Sequence, residues 1–229
     1  MSGRRITRCG LGLAALLGVA ATATATTVAG HVDLITKGGQ HATDMSDVVV
    51  YVEGVDVRPK PPKTVSATIT MQRKQFSPRV VVIPVGGSVE FPNTDPIFHN
   101  VFSVSGENRF DLELYKSPKS GINTFQHAGI VRVYCNIHPQ MSAAIVVRDN
   151  PFFTKATQDG SFSIDGVPPG RYTLTAWHER APNGVSSELI VPATGRIEGQ
   201  LTLDASAFKQ APHKNKFGKD YTAPSDDKY

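Results

Sequence analysis

The sequence predicts an all-β protein made of two β-sandwich domains. From Thr64 to Val147, short β-branched runs alternate with turn residues. After the break Asp149-Asn-Pro151, a second group of alternating runs extends to Leu203. No stretch carries helical periodicity of useful length. A chain of 229 residues has room for one large or two small domains.

At the N-terminus, Arg4, Arg5 and Arg8 precede the short apolar run Leu11 to Ala21 and the small-residue sites of Ala21-Thr-Ala-Thr-Ala25. This is the pattern of a secretory signal peptide over residues 1–25. The expected location is therefore periplasmic or otherwise exported, with no membrane span in the mature chain. Residues 26–47 are polar and contain glycine, which predicts a linker. Val48-Val-Val-Tyr-Val52 reads as a first strand, and Arg58-Pro-Lys-Pro-Pro-Lys63 as a turn or surface loop. Strands are then expected at 67–71, 79–83, 88–91, 101–104, 122–125, 130–135 and 144–147, giving a first domain over residues 48–149. Beyond Pro151, Phe162 and Ile164, then Tyr172, Leu174 and Ala176, alternate with other residues around the tight turn Val167-Pro-Pro-Gly170. With the runs 187–191 and 197–203 they predict a second domain over residues 150–204. The Lys-, Asp-, Ala- and Pro-rich remainder, 205–229, predicts a flexible tail.

The formal net charge of +4 overstates how basic the mature protein is, because three arginines lie in the signal. Nothing supports a nucleic-acid patch. Of the two cysteines, Cys9 belongs to the signal, so Cys135 is left without an internal disulfide partner.

Cys135-Asn-Ile-His138-Pro-Gln-Met141 places a thiol, an imidazole and a thioether within seven residues. With a second imidazole, these are the donor types of a mononuclear copper electron-transfer site. His99, in Phe98-His-Asn-Val-Phe102, is the candidate. A rigid site of this kind takes three ligands from one loop closing two strands and the fourth from a neighbouring strand. Taken singly, each residue has a commoner reading: a core cysteine, a surface histidine, a methionine filling the core. Taken together they sit in a polar, proline-containing loop rather than an apolar stripe. Zinc would prefer more thiolate or imidazole and no thioether. A dinuclear copper site needs a second cysteine, and haem attachment needs C-x-x-C-H. In Trp177-His178-Glu179, the reading is a core tryptophan followed by two surface polar groups.

Residues 75–147 resemble a cupredoxin of the plastocyanin and amicyanin group. The resemblance rests on Phe76-Ser-Pro78, Ile83-Pro-Val-Gly-Gly-Ser-Val-Glu-Phe91, Asn93-Thr-Asp95, His99-Asn100 and the C-x-x-H-x-x-M loop, whose short His-to-Met spacing is that of amicyanin. It implies a Greek-key sandwich with one type 1 copper held by His99, Cys135, His138 and Met141. It also implies that Asn100 ties the two ligand segments together, and that a redox partner docks near His138 on a patch including Ile137 and Pro139. Residues 152–203 resemble a carboxypeptidase-regulatory or transthyretin-like β-sandwich through Asp159-Gly160, Phe162, Gly166-Val-Pro-Pro-Gly170 and Tyr172-Thr-Leu174. This two-domain order resembles bacterial methylamine-utilisation or plastocyanin-like proteins.

The resulting expectation is a periplasmic electron carrier cycling between Cu(II) and Cu(I), not an enzyme, with its partner and oligomeric state open. The alternative is a copper-binding interaction or copper-delivery protein whose second domain docks a partner. Copper enzymes of related fold would require additional histidines between domains, and the second domain offers only His178.

Overall fold

The computed structural model describes residues 26–210 and 212–221. The expected signal peptide lies outside the described residues. The strands are β1 (Thr26–Ile35), β2 (Val49–Glu53), β3 (Ala67–Thr68), β4 (Thr70–Gln72), β5 (Gln75–Ser77), β6 (Val80–Pro84), β7 (Ser88–Pro92), β8 (His99–Ser103) and β9 (Phe110–Tyr115). They continue with β10 (Ser120–Thr124), β11 (Gly129–Tyr134), β12 (Ser142–Arg148), β13 (Phe153–Lys155), β14 (Ser161–Val167), β15 (Gly170–His178), β16 (Ala181–Val191) and β17 (Arg196–Asp204). The all-β architecture expected from the alternation is what the chain adopts.

The first sandwich pairs a sheet ordered β6-β12-β11-β8-β9 with a sheet ordered β10-β7-β3, and β4-β5 forms a small ribbon beside them. The connections from β6 to β7 to β8, and from β9 to β10 to β11, cross between the sheets, as a Greek key requires. Its core includes Ile69, Met71, Phe91, Val101, Phe125, Val133 and Ile145.

The second sandwich pairs β14-β1-β17 with β13-β2-β15-β16. Its composition corrects two expectations. Residues 26–35, read as part of a linker, form a ten-residue strand at the centre of a sheet, antiparallel to β14 and parallel to β17. Val28, Val32 and Leu34 from it are fully buried in this core. The strand at Val48–Val52, placed with the first domain in the sequence reading, pairs instead with β13 and β15. Val48, Val50 and Val52 join the same core as Val28 and Leu203. The physical reason is satisfaction of both faces and both edges. Alternating apolar residues on β1 and β2 find their complement only in strands more than a hundred residues later. The first sandwich is thus inserted into the second, entered through the irregular proline-rich segment around 58–63.

The two sandwiches share a third core. Val49 and Tyr51 of β2, Phe153 of β13 and Trp177 of β15 face Val80 and Val82 of β6, Ile130 of β11, and Ala144 and Val146 of β12. Odd and even positions of β2, β6 and β12 therefore enter different cores, and these strands read as continuous apolar runs rather than alternating ones. Burying each such large side chain contributes about 1.5–3 kcal/mol. Four sheet layers result. Arg148 from β12 lies 3.7 Å from the Tyr51 ring centroid, and Lys155 donates to the Val80 carbonyl oxygen at 2.8 Å, so polar ties border the apolar contact.

Among the described residues, no helix is long and apolar enough to cross a membrane.

Candidate metal centre

The site is assembled at one end of the five-stranded sheet. Tyr134 of β11 pairs with Phe102 of β8 on one side and with Ser142 of β12 on the other. His99 is the first residue of β8, and Cys135 directly follows β11. The loop to β12 closes on itself: Met141 donates to the His138 carbonyl at 3.0 Å, and Cys135 donates to the Met141 carbonyl at 3.3 Å. Hydrophobic neighbours bury His99, Cys135 and Met141 completely, whereas His138 is half-buried.

The ligating atoms of His99, Cys135 and His138 lie within 4.8 Å of one another, forming a cluster able to hold a metal ion. His99 Nδ1 is 3.0 Å from His138 Nδ1, and Cys135 Sγ is 3.6 Å from His138 Nδ1. Met141 is buried in the same loop and belongs to the same core cluster as Cys135.

The orientation of His99 is set by Asp95, a residue whose role the sequence reading did not assign. His99 Nε2 donates to Asp95 Oδ2 at 2.8 Å, which leaves Nδ1 as a lone pair facing His138 and Cys135. The carboxylate is itself held by the backbone N–H groups of Arg73 (2.7 Å) and Lys74 (2.9 Å). Burial pushes the Asp95 carboxyl up, but these N–H donors and His99 outweigh it, and the net shift is downward. Burial lowers the pKa of His99 despite the opposing pull of Asp95, favouring the neutral imidazole that ligates metals. Burial raises the pKa of the Cys135 thiol against the N–H groups of Asn100, Ile137 and His138.

Asn100 makes the expected link through its backbone rather than its side chain. Its backbone N–H, 3.5 Å from Cys135 Sγ, joins the two ligand segments. Its side chain turns away to Asp111 Oδ1 (2.7 Å) and the Glu113 carbonyl (2.9 Å), tying β8 to β9.

The comparisons with known proteins concern parts of the chain. A family model described as polysaccharide lyase family 4, domain II, matches residues 130–188. That span runs from β11 of the first sandwich to β16 of the second and is consistent with a β-sandwich there. The structural neighbours are cupredoxins. A copper-containing nitrite reductase from Thermus scotoductus SA-01 is 28% identical, over 41% of this chain and 25% of that one, with a TM-score of 0.36. A purple cupredoxin from Nitrosopumilus maritimus is 23% identical, over 36% of this chain and 99% of that one, with a TM-score of 0.32. A reduced amicyanin variant is 22% identical, over 40% and 97% of the two chains, with a TM-score of 0.34. This chain spans only a quarter of the nitrite reductase's length. No curated protein matches.

The segment expected to be a flexible tail is another correction. Ala205 is buried in the second core, and residues 212–221 cross to the first sandwich and pack against the metal loop. Tyr221 donates to the Cys135 carbonyl at 2.7 Å. His213 Nε2 donates to the Pro139 carbonyl at 2.7 Å, and its ring stacks on Tyr134 at 4.0 Å. Lys216 donates its backbone N–H to Asn136 Oδ1 at 3.0 Å, and its ammonium pairs with Asp111 and Glu113. Rings and hydrogen-bonding groups at 213, 216 and 221 hold this polar segment in place of apolar burial. His178, read as a surface group, is also buried, at 4% exposure.

Proposed function

We propose that this chain is an exported, periplasmic type 1 copper protein that carries out one-electron transfer rather than catalysis. Its ligands would be His99, Cys135, His138 and Met141. The observation that carries the reading is the convergence of two imidazole Nδ1 atoms and one thiol at the end of a sheet, with a thioether in the same loop. This donor set suits copper. Bound there, copper would accept and release one electron between Cu(II) and Cu(I).

The protein's own groups support this role. Asp95 fixes the His99 ring, so the imidazole does not turn when the metal's charge changes. The N–H of Asn100 directed at Cys135 Sγ favours the thiolate over the thiol. His138 is the least buried of the proposed ligands, with Pro139 and Gln140 exposed beside it. That edge is where a redox partner would come closest.

The test is copper addition to the purified chain, followed by visible absorption and electron spin resonance. The expected result is one copper per chain, an intense thiolate-to-copper band, reversible bleaching on reduction, and loss of the band in Cys135→Ser. A colourless Cu(II) protein would sink the proposal.

A further inference from the structure

Trp177 and its neighbours seal the two sandwiches together, but toward the metal loop they part. A cleft of about 580 Å³ opens there between the ends of β11 and β12, the β15–β16 turn and the C-terminal segment. Its charge is uneven. Arg79, Arg132, Arg180 and Lys209 line it, against Asp47 and Glu179. Both acids are already engaged: Glu179 pairs with Arg79 at 2.9 Å and Asp47 with Lys155 at 3.1 Å. Arg132, Arg180 and Lys209 form no ion pair among the described residues, and the Arg132 guanidinium lies over the Trp177 ring at 5.5 Å.

A histidine adds a donor of another kind. His178 lines the cleft and is 4% exposed. Its Nδ1 accepts the Arg180 backbone N–H at 3.1 Å, so in the neutral ring the proton sits on Nε2. That Nε2–H has no protein acceptor among the described residues. Burial, reinforced by the Arg180 charge, holds the ring neutral down to about pH 4, so it remains a donor without becoming a further cation. The ring thus adds one neutral N–H donor to the cationic wall of the cleft.

We propose that this cleft binds a small oxyanion carrying two or more carboxylate or phosphate groups, through Arg132, Arg180, Lys209 and the Nε2–H of His178. Guanidinium groups match both chemistries with paired hydrogen bonds. The volume lies in the range of small-molecule sites, which favour domain interfaces, and exceeds what a single phosphate fills. Tyr134 forms part of the wall, so the ligand would sit one residue along the chain from Cys135. The proposal does not depend on the metal.

Trp177 is the single tryptophan of the chain; it lies behind the cleft, next to His178 and under the Arg132 guanidinium, and so reports on the site through them. Its emission is followed as the purified full chain is titrated with citrate and, separately, with pyrophosphate. Sodium chloride at matched ionic strength is the control. The expected result is a saturable change with at least one of the two anions, absent with chloride, and at least tenfold weaker binding in an Arg180→Gln, Lys209→Gln double variant. Both of those side chains are exposed, so the fold does not depend on them. The tighter of the two anions identifies the chemistry as carboxylate or phosphate. Emission that follows ionic strength alone overturns the proposal, and so does saturable binding that the double variant leaves unchanged.

Discussion

Asp95 contributes to the site through a neighbour. Its carboxylate accepts from His99 Nε2 and from two backbone N–H groups, so the buried imidazole has one orientation. Asp95→Asn puts an amide NH₂ where an acceptor stood, against donors already present. Metal affinity should fall about 10–100-fold, measured by competition with a chromogenic chelator; unchanged affinity would show that the ring is held by packing alone. The pairing was not read from the sequence. Asp95 lies four residues before His99, but in irregular chain rather than a helix, so spacing alone does not bring them together. The candidates Cys135, His138 and Met141 were easier to read, because a thiol, an imidazole and a thioether crowd one loop, and His99 was then sought as the second imidazole. His178 was misread because its burial comes from the other sandwich. That burial has a consequence in pH. Desolvation lowers its pKa from 6.5 to about 4, so the unfolded chain takes up the proton first as pH falls. Stability from this group is complete above pH 6.5, is lost between 6.5 and 4, and is constant below. The loss is roughly 3 kcal/mol. Denaturant titrations across that window should show a steeper decline for the natural chain than for His178→Gln.

At the level of elements, β1 shows what local pattern does not carry. Its burial alternates, with Val28, Val32 and Leu34 inward, yet Gly30 interrupts the apolar series and reads as linker. The glycine has a packing reason. It lies opposite Gly199 in the parallel pair with β17, and a Cβ placed on Gly30 would fall 1.8 Å from the Gly199 carbonyl oxygen. No rotamer relieves a clash with backbone. Gly30→Ala should therefore destabilise the second sandwich by at least ~2 kcal/mol, in the range of overpacked cores. The urea midpoint measures this, and a midpoint equal to that of the natural chain would mean the strands separate at no cost. The short runs of the first sandwich were legible because each sits between turn residues, even though β6 pairs with β12, β7 with β10 and β8 with β11. Val48–Val52 was recognised as a strand but assigned to the wrong partners. Periodicity gives a strand its faces, and only the fold supplies β13 and β15 at its edges.

The whole molecule behaves as one body because its chain path is discontinuous. The second sandwich is begun before the first and finished after it, the third core joins them, and the C-terminal segment then returns to the metal loop. That return links distant charges: Lys216 pairs with Asp111, Asp111 accepts from Asn100, and the Asn100 N–H points at Cys135 Sγ. Composition made residues 205–229 look like tail, because the ordering groups are single side chains spaced along polar sequence rather than an apolar face. Tyr221, His213 and Lys216 anchor the loop at Cys135, Pro139 and Asn136. Each such bond is worth about 1 kcal/mol net, or roughly fivefold in an opening equilibrium. Tyr221→Phe should therefore raise amide hydrogen exchange across residues 135–141 by about fivefold. Removing residues 212–229 should raise it further and speed copper loss to a chelator. Exchange at Val50 and Val146, deep in the cores, should not change in either variant. If the loop amides also hold their protection in the truncated chain, the β11–β12 hairpin keeps its shape unaided and the segment merely rests on it.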